Sequence, residues 1–178
     1  MKVDNNVTYR KLNSNDLDIF IRLRLDFLSE MKNLDEIEKE KITKSLQGYF
    51  AEYLRKNEFI GIVCEHEGNI VSTAYLAISE MPANHHLLNG KIGTLLNVFT
   101  YPEYRNNGIS TNIIKMLIEE ARKQNVLTID LLATKDGERI YRKIGFAENE
   151  EKFMRLKLHE NNVEKAFENF NFNNHGKH

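Results

Sequence analysis

Between Leu95 and Leu117 the chain passes from an apolar run, Leu95 to Phe99, through a turn containing Pro102. It continues into Arg105-Asn106-Asn107-Gly108-Ile109-Ser110 and then into an amphipathic helix. A strand that ends where a polar, Gly-containing loop opens a helix restricts the fold strongly. The helix must cross back over a sheet before the next strand, Val126 to Ala133, which makes a strand, helix, strand crossover. The same junction gathers free backbone N–H groups and the positive end of a helix at one spot, a natural cradle for phosphate.

The rest of the chain falls into place around this stretch. Val7 to Lys11 reads as a strand with Val7 and Tyr9 on one face. Asn13, Ser14, Asn15 and Asp16 offer N-caps for a helix carrying Leu17, Phe20, Ile21, Leu25, Phe27, Leu28 and Met31. A second helix, from about Asp35 to Lys56, repeats Ile42, Leu46, Tyr49, Phe50 and Tyr53 at helical spacing, with Asp35 and Lys39 an i, i+4 pair on its wet face. The period then changes to that of strands. Phe59 to Cys64 and Ile70 to Ile78, parted by Glu67-Gly68-Asn69, predict an antiparallel hairpin. Met81 to Gly90 is a polar loop and Lys91 to Thr100 the next strand. A helix from about Gly108 to Gln124 shows Ile109, Ile113, Leu117 and Ala121 on one stripe. After it come the Val126 to Ala133 strand, a short helix Asp136 to Ile144 stopped by Gly145, and a final strand Phe153 to Leu158.

The order β, α, α, β, β, β, α, β, α, β predicts an α+β fold with a mixed, largely antiparallel sheet flanked by helices. Residues 1–159 read as one domain. The tail 160–178 is Asn-rich, with Val163, Phe167 and Phe170 suited to a docked or frayed helix. A net charge of −1, from 25 basic and 26 acidic residues, argues against a nucleic-acid binder. Cys64 is the single cysteine and sits in an apolar strand, which suits a reducing cytoplasm. No signal peptide and no apolar run of membrane-spanning length is present, so we expect a soluble, cytoplasmic protein that needs no metal.

Two motifs and the element order resemble the GNAT superfamily of acyl-CoA-dependent N-acetyltransferases. The resemblance covers about Val7 to Leu158, as a single GNAT domain. The family's phosphate loop is Gln or Arg, two residues, Gly, one residue, then Gly or Ala; Arg105 and Gly108 meet it, and Ser110 departs from it with another small residue. The second motif is Ile140-Tyr141-Arg142-Lys143-Ile144-Gly145-Phe146, with a Tyr four residues before Gly-Phe. The segments Met81-Pro82-Ala83-Asn84 and Gly93 to Val98 are similar to a bacterial subgroup of the family.

The resemblance implies acetyl transfer from acetyl-CoA, as co-substrate, to an amine-bearing acceptor that the sequence does not name. It implies that the loop Arg105, Asn106, Asn107, Gly108, Ile109, Ser110 and Thr111 holds the CoA pyrophosphate, by backbone N–H groups from Asn107 to Ser110, by Arg105 as a nearby cation and by the Thr111 hydroxyl. Val98, Phe99 and Thr100 would hold the pantetheine arm, with the Val98 N–H facing the thioester carbonyl as an oxyanion donor. Tyr141 would protonate the departing thiolate; otherwise it is a packing Tyr on a short helix. The family often has Asn seven residues before this Tyr, where the chain has Thr134, a further cofactor-side candidate. Some members carry a Glu base where this chain has Thr94, so Glu65, Glu67, Glu80, His85 and His86 stand as alternatives, each also readable as surface.

Arg22 and Arg24 interrupt an apolar helix and either face an acidic acceptor or cover the core with their stems. The competing reading of another class is an acyl-CoA-binding sensor or interaction module that kept the cradle and lost turnover. A homodimer is compatible with either reading, and neither involves a membrane or nucleic acid.

Overall fold

The computed structural model describes residues 6–150 and 152–156. The chain divides into two compact units, Met1–Gly145 and Phe146–His178. In the first unit the elements are β1 (Val7–Lys11), α1 (Leu17–Met31), α2 (Glu36–Arg55), β2 (Phe59–His66), β3 (Asn69–Glu80), β4 (Lys91–Thr100), α3 (Ile109–Lys123), β5 (Thr128–Asp130) and α4 (Lys135–Ile144). The five strands form one sheet in the order β1-β2-β3-β4-β5. The first four pair antiparallel, and β5 runs parallel to β4. This is the mixed, largely antiparallel sheet that the sequence predicts.

Local chemistry sets the element ends. Asn13 and Asp16 form a capping box over a 3-10 turn that leads into α1. Asp35 does the same with Glu38 for α2, so its carboxylate accepts the Glu38 N–H while Lys39 pairs with Glu36 at 2.8 Å. The β2–β3 hairpin turns through Glu67 and Gly68 alone, at φ 50° and 78°. Two left-handed residues in a row match the twist of the flanking strands. Asn69 already pairs with His66 and belongs to β3. At the end of α4, Gly145 adopts φ 112° and its N–H donates to the carbonyls of Tyr141 and Arg142.

The sheet separates two cores. On one face α1 and α2 bury Phe20, Leu23 and Phe50 against Phe59, Val63 and Tyr75. On the other, α3 packs over β2, β3 and β4 with Ile109, Ile113, Ile114, Leu117 and Ala121 buried. The Tyr75 hydroxyl donates to the Phe20 carbonyl at 3.0 Å, tying α1 to the sheet centre. Gly61 is what lets α1 come so close: a Cβ there would lie 2.3 Å from Phe20 Cε1.

Two expected strands differ. The strand expected from Val126 to Ala133 is the three-residue β5, because its pairing with β4 ends at Thr94 and Asp130, and Leu132 beyond it is 71% exposed. In the second unit no strand forms at 152–156, where the expected Phe153 to Leu158 strand begins; its last two residues lie outside the described residues. Apolar residues make a strand only with a hydrogen-bonded neighbour, and among the described residues 152–156 pair with no strand. The tail from Glu160, expected to dock or fray, also lies outside the described residues.

The packing predicts that Gly61→Ala destabilises the protein by about 1–3 kcal/mol. The Phe20 ring cannot retreat, since Phe50, Phe59 and Tyr75 surround it at centroid distances of 5.3, 5.8 and 5.2 Å. Urea unfolding should show a lower midpoint with an unchanged slope.

Candidate active site at the end of strand β4

Strand β4 is paired on both sides only at its start. Its ladder with β5 covers Ile92, Gly93 and Thr94, whereas its ladder with β3 runs on to Thr100. From Leu95 onward the edge toward β5 is therefore without a partner strand among the described residues. Within this stretch the register shifts opposite Thr73 to Tyr75. Asn97 takes the left-handed conformation there, at φ 54°, as a buried bulge residue. Its side chain reaches α1 in both directions: Nδ2 donates to the Leu23 carbonyl at 3.3 Å, and Oδ1 accepts from Arg24 Nη1 at 3.3 Å.

Val98 follows the bulge, partly buried, and then Phe99 and Thr100 are buried. The Phe99 ring meets Phe27 of α1 and Tyr101. Beyond Thr100 the chain makes one 3-10 turn, Pro102–Tyr104, and enters the loop to α3. Asn106 at φ 64° and Gly108 at φ 75° bracket Asn107, a left-handed pattern of the kind that builds anion-binding concavities. No side chain caps α3. The N–H groups of its first turn thus point out of the helix unspent, with the positive dipole end behind them.

Ser110, the departure from Gly or Ala, has a use. Its Oγ lies 2.7 Å from Thr100 Oγ1, which lies 2.7 Å from Ser72 Oγ, which donates to the Phe99 carbonyl at 2.8 Å. Because the Ser72 hydrogen goes to a carbonyl, Thr100 must donate to Ser72 and Ser110 to Thr100. Direction is therefore fixed along the row, and the helix start is tied to the strand end. Arg105 reinforces the joint: Nε donates to the Thr100 carbonyl at 2.9 Å, and Nη2 pairs with Glu30 of α1. Thr111, partly buried, lies in the first turn of α3.

Thr134 is the N-cap of α4, its Oγ1 accepting the Gly137 N–H at 3.2 Å. The Tyr141 ring lies over Gly137, where a Cβ would stand 3.0 Å from Tyr141 Cε2. Burial raises the Tyr141 pKa, so the phenol keeps its proton at neutral pH and can donate it. Among the suggested bases, Glu65 is held by Arg10 at 2.7 Å and Glu80 lies 3.8 Å from Lys91. His85 and His86 lie against each other in the exposed loop, their rings tilted by 47°. Thr94 is exposed, and the register sets Asp130 opposite it at the fork of β4 and β5. Cys64 is buried and its thiol is pushed up to about 11 by burial, which suits structure rather than nucleophilic chemistry.

Three features here were not singled out from the sequence: the Asn97 bulge, the Arg105 bond to Glu30, and Asp26, which accepts the Tyr101 hydroxyl at 2.5 Å. An Asn in the middle of an apolar strand was the available signal for the first, since Asn is disfavoured in strands and tolerates left-handed backbone. A cleft of about 370 Å³ lies between α1 and α2, lined by Asp18, Arg22, Asp26, Lys39, Thr43 and Gln47 among others. Among the described residues no helix is long and apolar enough to cross a membrane, and no group of three or more His, Cys, Asp or Glu is placed to hold a metal.

Comparison with known proteins gives the class to which this strand-and-helix arrangement belongs. Residues 8–148 match the family model described as acetyltransferase (GNAT) domain. The chain belongs to the GNAT family of acetyltransferases. The uncharacterized N-acetyltransferase ycf52 of Porphyra purpurea is 28% identical over 134 residues, 71% of this chain and 72% of that protein. A predicted acetyltransferase of Clostridium acetobutylicum, solved with acetyl-CoA, is 30% identical with a TM-score of 0.78, covering 85% of this chain and 96% of that one. A GCN5-related N-acetyltransferase of Ralstonia eutropha shares the fold, with a TM-score of 0.72 at 22% identity over 84% of this chain and 98% of that one.

Burial, then the Asp26 bond, pushes the Tyr101 phenol up to about 12. In the unfolded chain the same phenol ionises near ~10. A raised folded pKa stabilises the protein fully below the unfolded value, and that stability is lost as pH rises from about 10 to 12. Tyr101→Phe should therefore flatten the alkaline fall in stability across this window by about one proton. Urea midpoints measured from pH 9 to 12 for both proteins check it.

Proposed function

We propose that the protein transfers an acetyl group from acetyl-CoA directly to the primary amine of a small-molecule or peptide acceptor. The observation that carries this reading is the uncapped N-terminus of α3, set behind left-handed Gly108 at the end of a strand that has lost its β5 partner. Backbone N–H groups from Asn107 to Ser110 take the pyrophosphate of CoA, with Asn106, Ile109 and Thr111 completing the loop. The loop needs no induced folding, because the hydroxyl row and Arg105 already hold it. Val98, Phe99 and Thr100 line the pantetheine arm along the open edge of β4, and the Val98 N–H stabilises the charge that develops on the thioester oxygen.

The amine nucleophile belongs to the acceptor. The free amine attacks the thioester carbon and forms the C–N bond. As the tetrahedral intermediate collapses, the C–S bond breaks and Tyr141 gives its proton to the departing thiolate. The proton shed by the amine nitrogen passes to water, from which Tyr141 is reprotonated. Thr134 supports this role indirectly by capping the helix that carries Tyr141. Arg105 serves as a nearby cation and, through its bonds to Thr100 and Glu30, as a brace on the loop.

The direct test mixes pure protein with acetyl-CoA and a panel of amines and follows free-thiol release, alongside the thermal shift with CoA alone. Stabilisation by CoA together with thiol release from an amine supports the reading; no CoA-induced shift sinks it. Tyr141→Phe should lower kcat by roughly 10²–10⁴-fold with CoA binding nearly intact, the size of a lost general acid. Unchanged activity would make Tyr141 a packing residue.

A second substitution separates backbone from side chain. Arg105→Ala should mainly raise KM for acetyl-CoA, and an unaltered KM would assign the cradle to the backbone alone.

A further inference from the structure

Arg24 is a charged side chain that the mechanism above leaves unused. It lies on α1, partly buried, with one hydrogen bond of 3.3 Å to the Asn97 side chain. Its guanidinium carbon stands 5.6 Å from the centre of the Phe27 ring, and that ring meets Phe99 at 6.4 Å. Among the described residues no carboxylate pairs with it. Arg10 of β1, by contrast, is held by both Asp16 and Glu65.

A guanidinium taken partly out of water without a counter-charge costs stability, which an apolar residue of similar size would not. Burial does lower the Arg24 pKa, in keeping with this. Its fork carries five donors, of which Asn97 occupies one. The neighbouring aromatic face and the Asn97 bond hold it in place, so that a second partner would find it already oriented.

Its position tells which partner. Asn97 is the bulge residue directly before Val98, which the proposed function sets at the thioester. The phosphate cradle lies at the other end of this segment, at Arg105 to Thr111, on the far side of Thr100. An anion held by Arg24 is thus near the reacting carbonyl and away from the CoA phosphates. One guanidinium neutralises one charge and presents parallel N–H groups, a match for a carboxylate.

Resting on the proposed function, we infer that Arg24 binds a carboxylate of the acceptor, and that the acceptor class is amines carrying an acid group, such as amino acids or peptides with an acidic side chain near the amine. Arg24 is then a specificity-determining residue, and Asn97 positions it.

The test uses matched pairs: α-, β- and γ-amino acids beside their carboxamides, which keep shape and remove the charge. Thiol release from acetyl-CoA gives kcat/KM for each. The wild-type protein should prefer at least one acid over its amide by about 10- to 100-fold, the size of a charge-assisted hydrogen bond. Arg24→Gln should collapse that preference, and Arg24→Lys should restore part of it. The CoA-induced thermal shift reports that each variant is folded and still holds the donor.

Equal use of acids and amides by the wild-type protein overturns the assignment, and so does thiol release from no acid in the panel while CoA still binds. Retained preference in Arg24→Gln with a raised KM for acetyl-CoA would move Arg24 to the donor side and overturn it as well. Failure of CoA to stabilise the wild-type protein would instead overturn the proposed function on which this inference rests.

Discussion

Strand β4 stays hydrogen-bonded to β3 as far as Thr100 but leaves β5 after Thr94, and the rest of the candidate site depends on that parting. Backbone N–H and C=O groups are obligatory hydrogen-bonding groups, so a strand edge without a neighbour is a template for something extended to lie along it. The parting is built in by two local departures from regular structure. One is the brevity of β5, three residues long. The other is the bulge at Asn97, which bends β4 where its neighbour is lost. A left-handed residue inside a strand is costly for most side chains, less so for Asn, and here the cost is offset by two hydrogen bonds to α1. The helix on one face of the sheet thereby stabilises an irregularity in the strand beside its open edge.

The end of the same strand is held by a different device. A free hydroxyl can rotate, and a row of three hydroxyls offers two directions of donation. The Phe99 carbonyl can only accept, so it fixes donation as running from Ser110 to Thr100 to Ser72 and into that carbonyl. Hydrogen bonds in one direction polarise each other and strengthen the row. Arg105 then takes the Thr100 carbonyl, so that one residue is fixed at both its side chain and its backbone. Strand end, loop and first turn of α3 are consequently tied to one another. An anion arriving at the helix start meets N–H groups that need little further ordering, which saves the entropy that a floppy loop would lose on binding.

What could be read from the sequence follows the range of the interactions. The helix starts at Asn13 and Asp35, the Gly145 stop and the α3 stripe depend on neighbours within four residues, and all were legible. So was the junction from β4 to α3, with Gly108 where a left-handed residue is needed. The extent of β5 was not, because eight apolar-rich residues say nothing about how long a partner strand stays alongside. Residues 152–156 show the same gap: Phe153, Met154 and Leu156 look like strand, yet pairing is a property of two segments. Phe20 against Gly61, and Glu30 against Arg105, join residues 41 and 75 positions apart by their numbering, and nothing local announces either.

The two halves of the proposed reaction differ in legibility for the same reason. A phosphate-bearing donor is held mainly by backbone, and backbone geometry is written in Gly, Pro and Asn placed next to one another. An acceptor is chosen by side chains that several elements bring to one point. Arg24 illustrates it: in the sequence it is one of two arginines on an apolar helix, equally suited to covering the core. Only the bond to Asn97, 73 residues away, sets it beside the bulge and leaves its fork without a carboxylate. Families that share a donor and diverge in acceptor should therefore look alike in their loops and strand ends, and differ in which residue of the first helix reaches the bulge.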